Sequence, residues 1–237
     1  MRLIEASAER AFAAAAAWVA AAVEARAGCV LALPTGKTPI PLYAELVARV
    51  SRGQLDFGAV RIFNLDEYAG LSAADPHSYA AFLHAHLIDP LGLDPGRVRL
   101  LRGDAPDALA ECRAFDAAIA AAGGIDACML GLGENGHIAF NEPGSDWDLE
   151  THLVNLSEAT RAANQRRSLD HWNPPPKGLT MGIKTILAAR RILLLIAGEN
   201  KRRAAQALRR GVKDADWPVS SLAAHPDLTV IEVCAPA

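Results

Sequence analysis

The sequence predicts an α/β architecture, a single doubly wound and mainly parallel sheet with a lid segment. Six runs of nearly unbroken Val, Ile and Leu recur along the chain, the pattern of strands covered on both faces. Helical spacing fills the intervals, and strands alternating with helices build βαβ units. No repeat, low-complexity linker or composition shift interrupts the 237 residues, so 1–237 are expected to form one domain.

The alanine-rich AFAAAAAWVAAAVEARA is expected to be an amphipathic helix. Ser7 can cap it, and Phe12, Ala16, Val19 and Val23 share one stripe. Glu5, Glu9 and Arg10 before it, with Glu24 and Arg26 at its end, argue against an export signal. CVLALP (29–34) reads as a strand followed by a helix over 39–49, and VRIFNL (60–65) as a strand leading to a helix over 78–88. VRLLRG (98–103) precedes a helix over 105–122, and IDACMLGLG (125–133) runs into a polar loop. RILLLIAG (191–198) leads to a helix over 199–210, and LTVIEV (228–233) is the last strand. Residues 142–180 contain no long apolar strand and are rich in Asn, Arg, Pro and Trp. So long an excursion is expected to be a mobile cover over an active site, with a rigid surface excursion as the alternative.

Composition narrows the partners. With 51% apolar residues the chain can bury a large core. Net charge is −3, and cationic stretches such as Arg166-Arg167 and Lys201-Arg202-Arg203 are too short for a nucleic-acid stripe but enough for one phosphate. No uncharged apolar stretch reaches membrane-spanning length, so neither nucleic acid nor membrane is expected as a partner. Cys29, Cys112, Cys128 and Cys234 are scattered without CxxC spacing; reduced thiols in the cytoplasm are expected over disulfides or a zinc site.

In parallel sheets, ligands bind at the carboxyl ends of strands, and three polar clusters fall there. Thr35-Gly36-Lys37-Thr38 lies between a strand and a helix. It lacks the earlier glycine of a nucleotide-binding P-loop, where Leu31 stands, yet a glycine turn at a helix start suits one phosphate. Asp66 and Glu67 leave the next strand, either as helix caps or solvated charges, or with a carboxylate placed to remove a proton from carbon. The third cluster is GLGENGHIAFNEPG (131–144). Gly131, Gly133 and Gly136 allow sharp turns, and His137 and Glu142 can face one another across a non-helical turn. An imidazole beside a carboxylate can shuttle protons near neutral pH, whereas no second His or Cys completes a metal site nearby.

LPTGKTP, FNLDEYAGL, HSYAAFL, GLGENGHIAFNEPG, TRAANQR, GLTMGIKTI and AGENKRRA together resemble the glucosamine-6-phosphate deaminase (isomerase) family, from about residue 28 to the C-terminus. Related 6-phosphogluconolactonases carry a GHTASLFP-like loop; this chain has the Phe140-Asn141-Glu142-Pro143 form. The resemblance implies a Rossmann-like sheet of the deaminase/sugar-phosphate isomerase type, a sugar-phosphate substrate, and no metal or organic cofactor. It also implies that Asp66 moves the C2 proton to C1, and that His137 assists ring opening with Glu142 as its partner. Thr35, Gly36, Lys37 and Thr38 match the phosphate loop, Arg166 and Lys201 its cationic ligands; Glu67 and Gly136 are expected at the substrate site.

The chain also departs from the family pattern. Asn135 stands where many members have Asp, so the relay is Asn–His–Glu without the second carboxylate. Arg167-Ser168 replaces an aromatic pair, and His152 and Val154 stand where allosteric relatives are basic, so an allosteric site is not expected. Glucosamine 6-phosphate is favoured, with the galactosamine epimer as the alternative and lactone hydrolysis a more distant one, because a lactonase needs no C2 base. Monomer and homo-oligomer both stay open.

Overall fold

The computed structural model describes residues 1–166 and 172–234; the expected replacement at Arg167-Ser168 falls outside them. Strand β1 (Arg2–Ser7) leads into α1 (Ala8–Ala25), and β2 (Val30–Leu33) into α2 (Ile40–Ser51). Then come β3 (Arg61–Asn64), β4 (Asp66–Tyr68), α3 (Tyr79–Leu83) and a π-helical turn continuing into α4 (Asp89–Leu91). The chain proceeds through β5 (Val98–Arg99), α5 (Ala108–Ala121), β6 (Ala127–Gly131), β7 (His152–Asn155) and α6 (Glu158–Gln165). It ends with β8 (Lys177–Thr180), α7 (Ile183–Leu187), β9 (Arg191–Ala197), α8 (Arg202–Arg209) and β10 (Leu228–Cys234).

Seven strands form a wholly parallel sheet in the order β1-β10-β9-β6-β2-β3-β5. The unbroken apolar runs follow from burial on both faces. Along β9, Ile192, Leu194 and Ile196 enter the core beneath α5, α7 and α8, while Leu193 and Leu195 enter the one beneath α1 and α2. Each such side chain contributes about 1.5–3 kcal/mol of burial. Alanine has the highest helix propensity, and Ala11, Ala15, Ala16, Ala20 and Ala22 let α1 lie close on its sheet face. Ser7 is its N-cap by position but makes no side-chain capping bond.

Two expectations change. A separate antiparallel sheet, β4-β8-β7, stands beside the parallel one, so the strands do not all belong to a single sheet. Two of its strands lie within 142–180, which therefore has strands of its own. They are only four residues long, and each carries a Lys, His or Asn that hides it from an apolar-run criterion. The N-terminal edge strand β1 also went unpredicted, because RLIEAS is mostly exposed.

The chain turns in opposite directions on either side of the β2/β6 boundary. From β2 it moves outward through β3 and β5; from β6 it moves the other way through β9 and β10. The carboxyl ends of β2, β3, β6 and β9 converge there, at the position where such sheets bind ligands.

Candidate active site

A cavity of about 220 Å³ opens at this switch point. Thr35, Gly36, Lys37 and Thr38 line it after β2, Asp66 after β3, Gly133 and His137 after β6, and Asn200 and Lys201 after β9. Loops after four separate strands thus bring these groups to one space. Beside it lies a recess of about 200 Å³ lined by Glu134, Asn135, Arg166 and, shared with the main cavity, His137, Asn164 and Lys201.

Asp66 is reached through a built turn. Asn64, wholly buried, donates to the Asp66 carbonyl at 2.8 Å and accepts from Leu101 N at 2.9 Å. Strand β4 then pairs Asp66 opposite Thr180. Burial, followed by the charge of Glu67, pushes the Asp66 carboxyl well above the usual carboxylate range.

Glu67 does something else. Its carboxylate accepts from Tyr68 N and Tyr79 N at 2.9 Å and from Ala80 N at 2.8 Å, fixing the start of α3. It does not itself line the cavity, standing one residue from Asp66, which does. The two carboxylates therefore diverge, Glu67 holding the start of α3 and Asp66 lining the cavity, because neighbours along a strand face opposite ways. Burial raises Glu67 to about 7 against the pull of those three N–H groups.

The loop after β6 is held at both ends. A Cβ on Gly133 would stand 2.4 Å from the His137 ring, so only glycine admits the imidazole there. Gly136 has φ +85°, and a Cβ on it would meet Trp217 at 2.7 Å. Gly136 consequently packs on Trp217 and does not itself line the cavity. Ala139, which lines the cavity, has φ +49° and is the one non-glycine residue with positive φ among the described residues. Such backbone costs about 1–3 kcal/mol and persists when its surroundings over-determine it. Asn141 does this, donating from Nδ2 to the carbonyls of Ile138 at 3.0 Å and Met181 at 2.9 Å.

His137 and Glu142 stand within ion-pair range, with Nδ1 and Oε2 4.0 Å apart, beyond hydrogen-bond distance. Asn135 joins them, with Oδ1 2.7 Å from His137 Nδ1 and Nδ2 donating to Glu142 Oε2 at 2.8 Å. Asn135 thus bridges the imidazole and the carboxylate that the sequence expected to face one another. The relay continues outward, since the Ser157 hydroxyl donates to Glu142 Oε1 at 3.1 Å while accepting from Thr160 N as the N-cap of α6.

Arg166 sits exposed at the C-terminal end of α6, on the side recess and not on the main cavity with the phosphate loop. Lys201 is buried and borders both spaces. Tyr79, Asn164 and Asn200 also line the cavity, and sequence reasoning did not single them out. Each lay within a quoted stretch, HSYAAFL, TRAANQR or AGENKRRA, beside a residue that drew attention for its charge or capping. Among the described residues, no group of three or more His, Cys, Asp or Glu is placed to hold a metal ion. No helix there is long and apolar enough to cross a membrane.

A parallel sheet with a polar cavity at its switch point, walled by a glycine turn, a carboxylate and an imidazole, defines a doubly wound α/β enzyme. Residues 4–230 match the family of glucosamine-6-phosphate isomerases and 6-phosphogluconolactonases, and the chain belongs to that family. It is 44% identical over 209 residues to a glucosamine-6-phosphate deaminase of Lysinibacillus sphaericus, covering 88% of each chain. It is 44% identical over 211 residues to glucosamine-6-phosphate deaminase 2 of Bacillus subtilis, covering 88% of this chain and 85% of the relative. A solved monomeric glucosamine-6-phosphate deaminase superposes with TM-score 0.95 at 39% identity, covering 98% of this chain and 97% of the other. A 6-phosphogluconolactonase of Thermotoga maritima superposes with TM-score 0.77 at 17% identity over 98% of both chains, a likeness of fold alone.

Proposed function

We propose that this chain converts glucosamine 6-phosphate and water to fructose 6-phosphate and ammonia. The observation that carries the reading is Asp66, a buried carboxylate on the same cavity wall as His137, the Thr35–Thr38 turn and Lys201. Lactone hydrolysis has no use for a carbon base, whereas aldose–ketose isomerisation requires one.

The phosphate is held by the Thr35-Gly36-Lys37-Thr38 turn and by Lys201, with Arg166 approaching from α6. His137, oriented through Asn135, moves the proton between the ring oxygen and the C1 hydroxyl as the pyranose opens. The aldehyde at C1 acidifies the C2 proton, and the Asp66 carboxylate takes it, leaving a cis-enolamine. Asp66 returns that proton to C1, which yields the C2 imine. Water adds to C2, and the carbinolamine expels ammonia as the ketone forms. Partial desolvation of Asp66 suits this task, because a base with a raised pKa holds an abstracted proton long enough to hand it on.

Segment 142–180 carries β7, α6 and β8, and the reading gives α6 the role of cover, since Asn164 and Arg166 bring it to the rim. The test is ammonia release from glucosamine 6-phosphate by the purified chain with no metal or nucleotide added, with C2–H exchange followed in deuterium oxide. Both are expected. Hydrolysis of 6-phosphogluconolactone without either would overturn the proposal. Comparing kcat/KM for glucosamine and galactosamine 6-phosphates decides the epimer, and a ratio favouring galactosamine would change the substrate but not the mechanism.

A further inference from the structure

We propose that Glu134 is an internal counter-ion of the phosphate subsite, a carboxylate that pairs with Lys201 from the side recess until the substrate's phosphate displaces it. In this role Glu134 sets the affinity of the site for anions. The inference rests on the phosphate reading of Lys201.

Three observations support it. Glu134 lies in the loop after β6, and its carboxylate accepts from Asn200 Nδ2 at 2.6 Å and stands 4.0 Å from Lys201 Nζ. Asn200 and Lys201 both line the main cavity, so this carboxylate engages two of that cavity's polar groups from the side recess. That recess is walled by Glu134, Arg166 and Lys201 together, one anion set among the two cations assigned to phosphate.

Burial separates the two partners. The Lys201 side chain is only 7% exposed, so its ammonium is costly to leave without an anion. The Glu134 side chain is 47% exposed and regains water on turning outward, so releasing it costs little. A phosphate dianion and this carboxylate repel one another and compete for the same cation. The buried ammonium therefore exchanges one anion for another, and the half-exposed partner is the one that leaves.

Glu134→Gln removes the charge, keeps the size and keeps an acceptor for Asn200. Binding of inorganic phosphate to the full chain, measured by calorimetry, is expected to tighten about two- to fivefold, the scale of a half-exposed ion pair. The KM for the amino-sugar phosphate falls by a similar factor, so that the change appears in KM more than in kcat. Weaker phosphate binding in Glu134→Gln would mean that the carboxylate positions Lys201, and unchanged binding would mean a solvated charge; either result overturns the proposal. Lys201→Ala separates the two levels of inference. If that variant binds phosphate as well as wild type does, the phosphate reading fails and the role of Glu134 falls with it. If Lys201→Ala abolishes binding and Glu134→Gln leaves it unchanged, only the role of Glu134 falls.

Discussion

Asn135 presents its carbonyl oxygen to His137 Nδ1 at 2.7 Å because its amide nitrogen is committed to Glu142, 2.8 Å away. An ionised carboxylate only accepts, so the NH2 group must face Glu142 and the oxygen must face the imidazole. Nδ1 then carries the hydrogen, and in the neutral ring Nε2 is the basic nitrogen. Glu142 thus selects the histidine tautomer through Asn135.

Asn135→Ala should lower turnover tenfold or more, a fraction of the roughly 10²–10⁴-fold that a positioned proton-transfer group contributes. Asn135→Asp should behave differently. It sets a second carboxylate against Glu142, and one of two such neighbours holds a proton into a higher pH range. The kcat–pH profile should therefore shift in Asn135→Asp and drop at every pH in Asn135→Ala. Wild-type turnover in the alanine variant would remove Asn135 from the relay.

Asp66 links activity to stability. Its carboxyl is raised in the folded chain, so the native state keeps a proton that the unfolded state gives up. Wild-type stability is consequently lost as pH rises from about 4, the ordinary aspartate value, up through the raised folded pKa. Asp66→Asn carries no such penalty. Its turnover should fall at least ~10²-fold, while its Tm should exceed that of wild type at pH 8. The Tm advantage should shrink towards pH 4. An advantage that does not depend on pH would show that Asp66 costs nothing by ionising, and unchanged turnover would show that it is not the base.

The two proposed phosphate cations should separate kinetically. Charge-assisted hydrogen bonds contribute about 1.5–3 kcal/mol each, so Lys201→Ala should raise KM by tenfold or more. Arg166 lies at the exposed end of α6, and its loss should also slow closure, lowering kcat along with raising KM. Equal and unchanged KM values in both variants would mark them as solvated cations.

The parallel sheet was legible because a strand covered on both faces must be apolar at every position, as Ile192 to Ile196 are. Strands β4, β7 and β8 were not, because three or four residues of mixed polarity carry no periodic signal. At the site, Asp66, His137 and the Thr35–Thr38 turn were legible as polar clusters at strand ends and Lys201 as part of a cationic stretch and a family match, and one cavity collects them. Spacing could not show which group intervenes between His137 and Glu142. A two-residue turn that folds Asn135 back beneath the imidazole is a backbone event, dependent on Gly133 leaving room for the ring. Arg166 was legible as a cation, but its place depends on how α6 docks, and that rests on contacts distant in sequence.

One of those contacts is the Tyr68 hydroxyl, which accepts from Asn164 Nδ2 at 2.7 Å and from the Tyr79 hydroxyl at 3.2 Å. Tyr68 belongs to β4, two residues from Asp66, and Asn164 belongs to α6, two residues from Arg166. Burial pushes the Tyr68 phenol up to about 12, so it stays neutral across the working range and the tie does not depend on pH there. Its ring packs against Phe140 at 5.3 Å and Tyr79 at 4.9 Å, contacts that Tyr68→Phe preserves. That variant therefore isolates the hydroxyl. A hydrogen bond of this kind contributes about 0.5–1.5 kcal/mol, so KM should rise roughly two- to tenfold as α6 loosens. Amide exchange should quicken over Glu158–Gln165 while the β9 amides exchange as in wild type. If exchange in α6 and KM both stay unchanged, the helix is held by other contacts, with the Ser157–Glu142 bond the first to test.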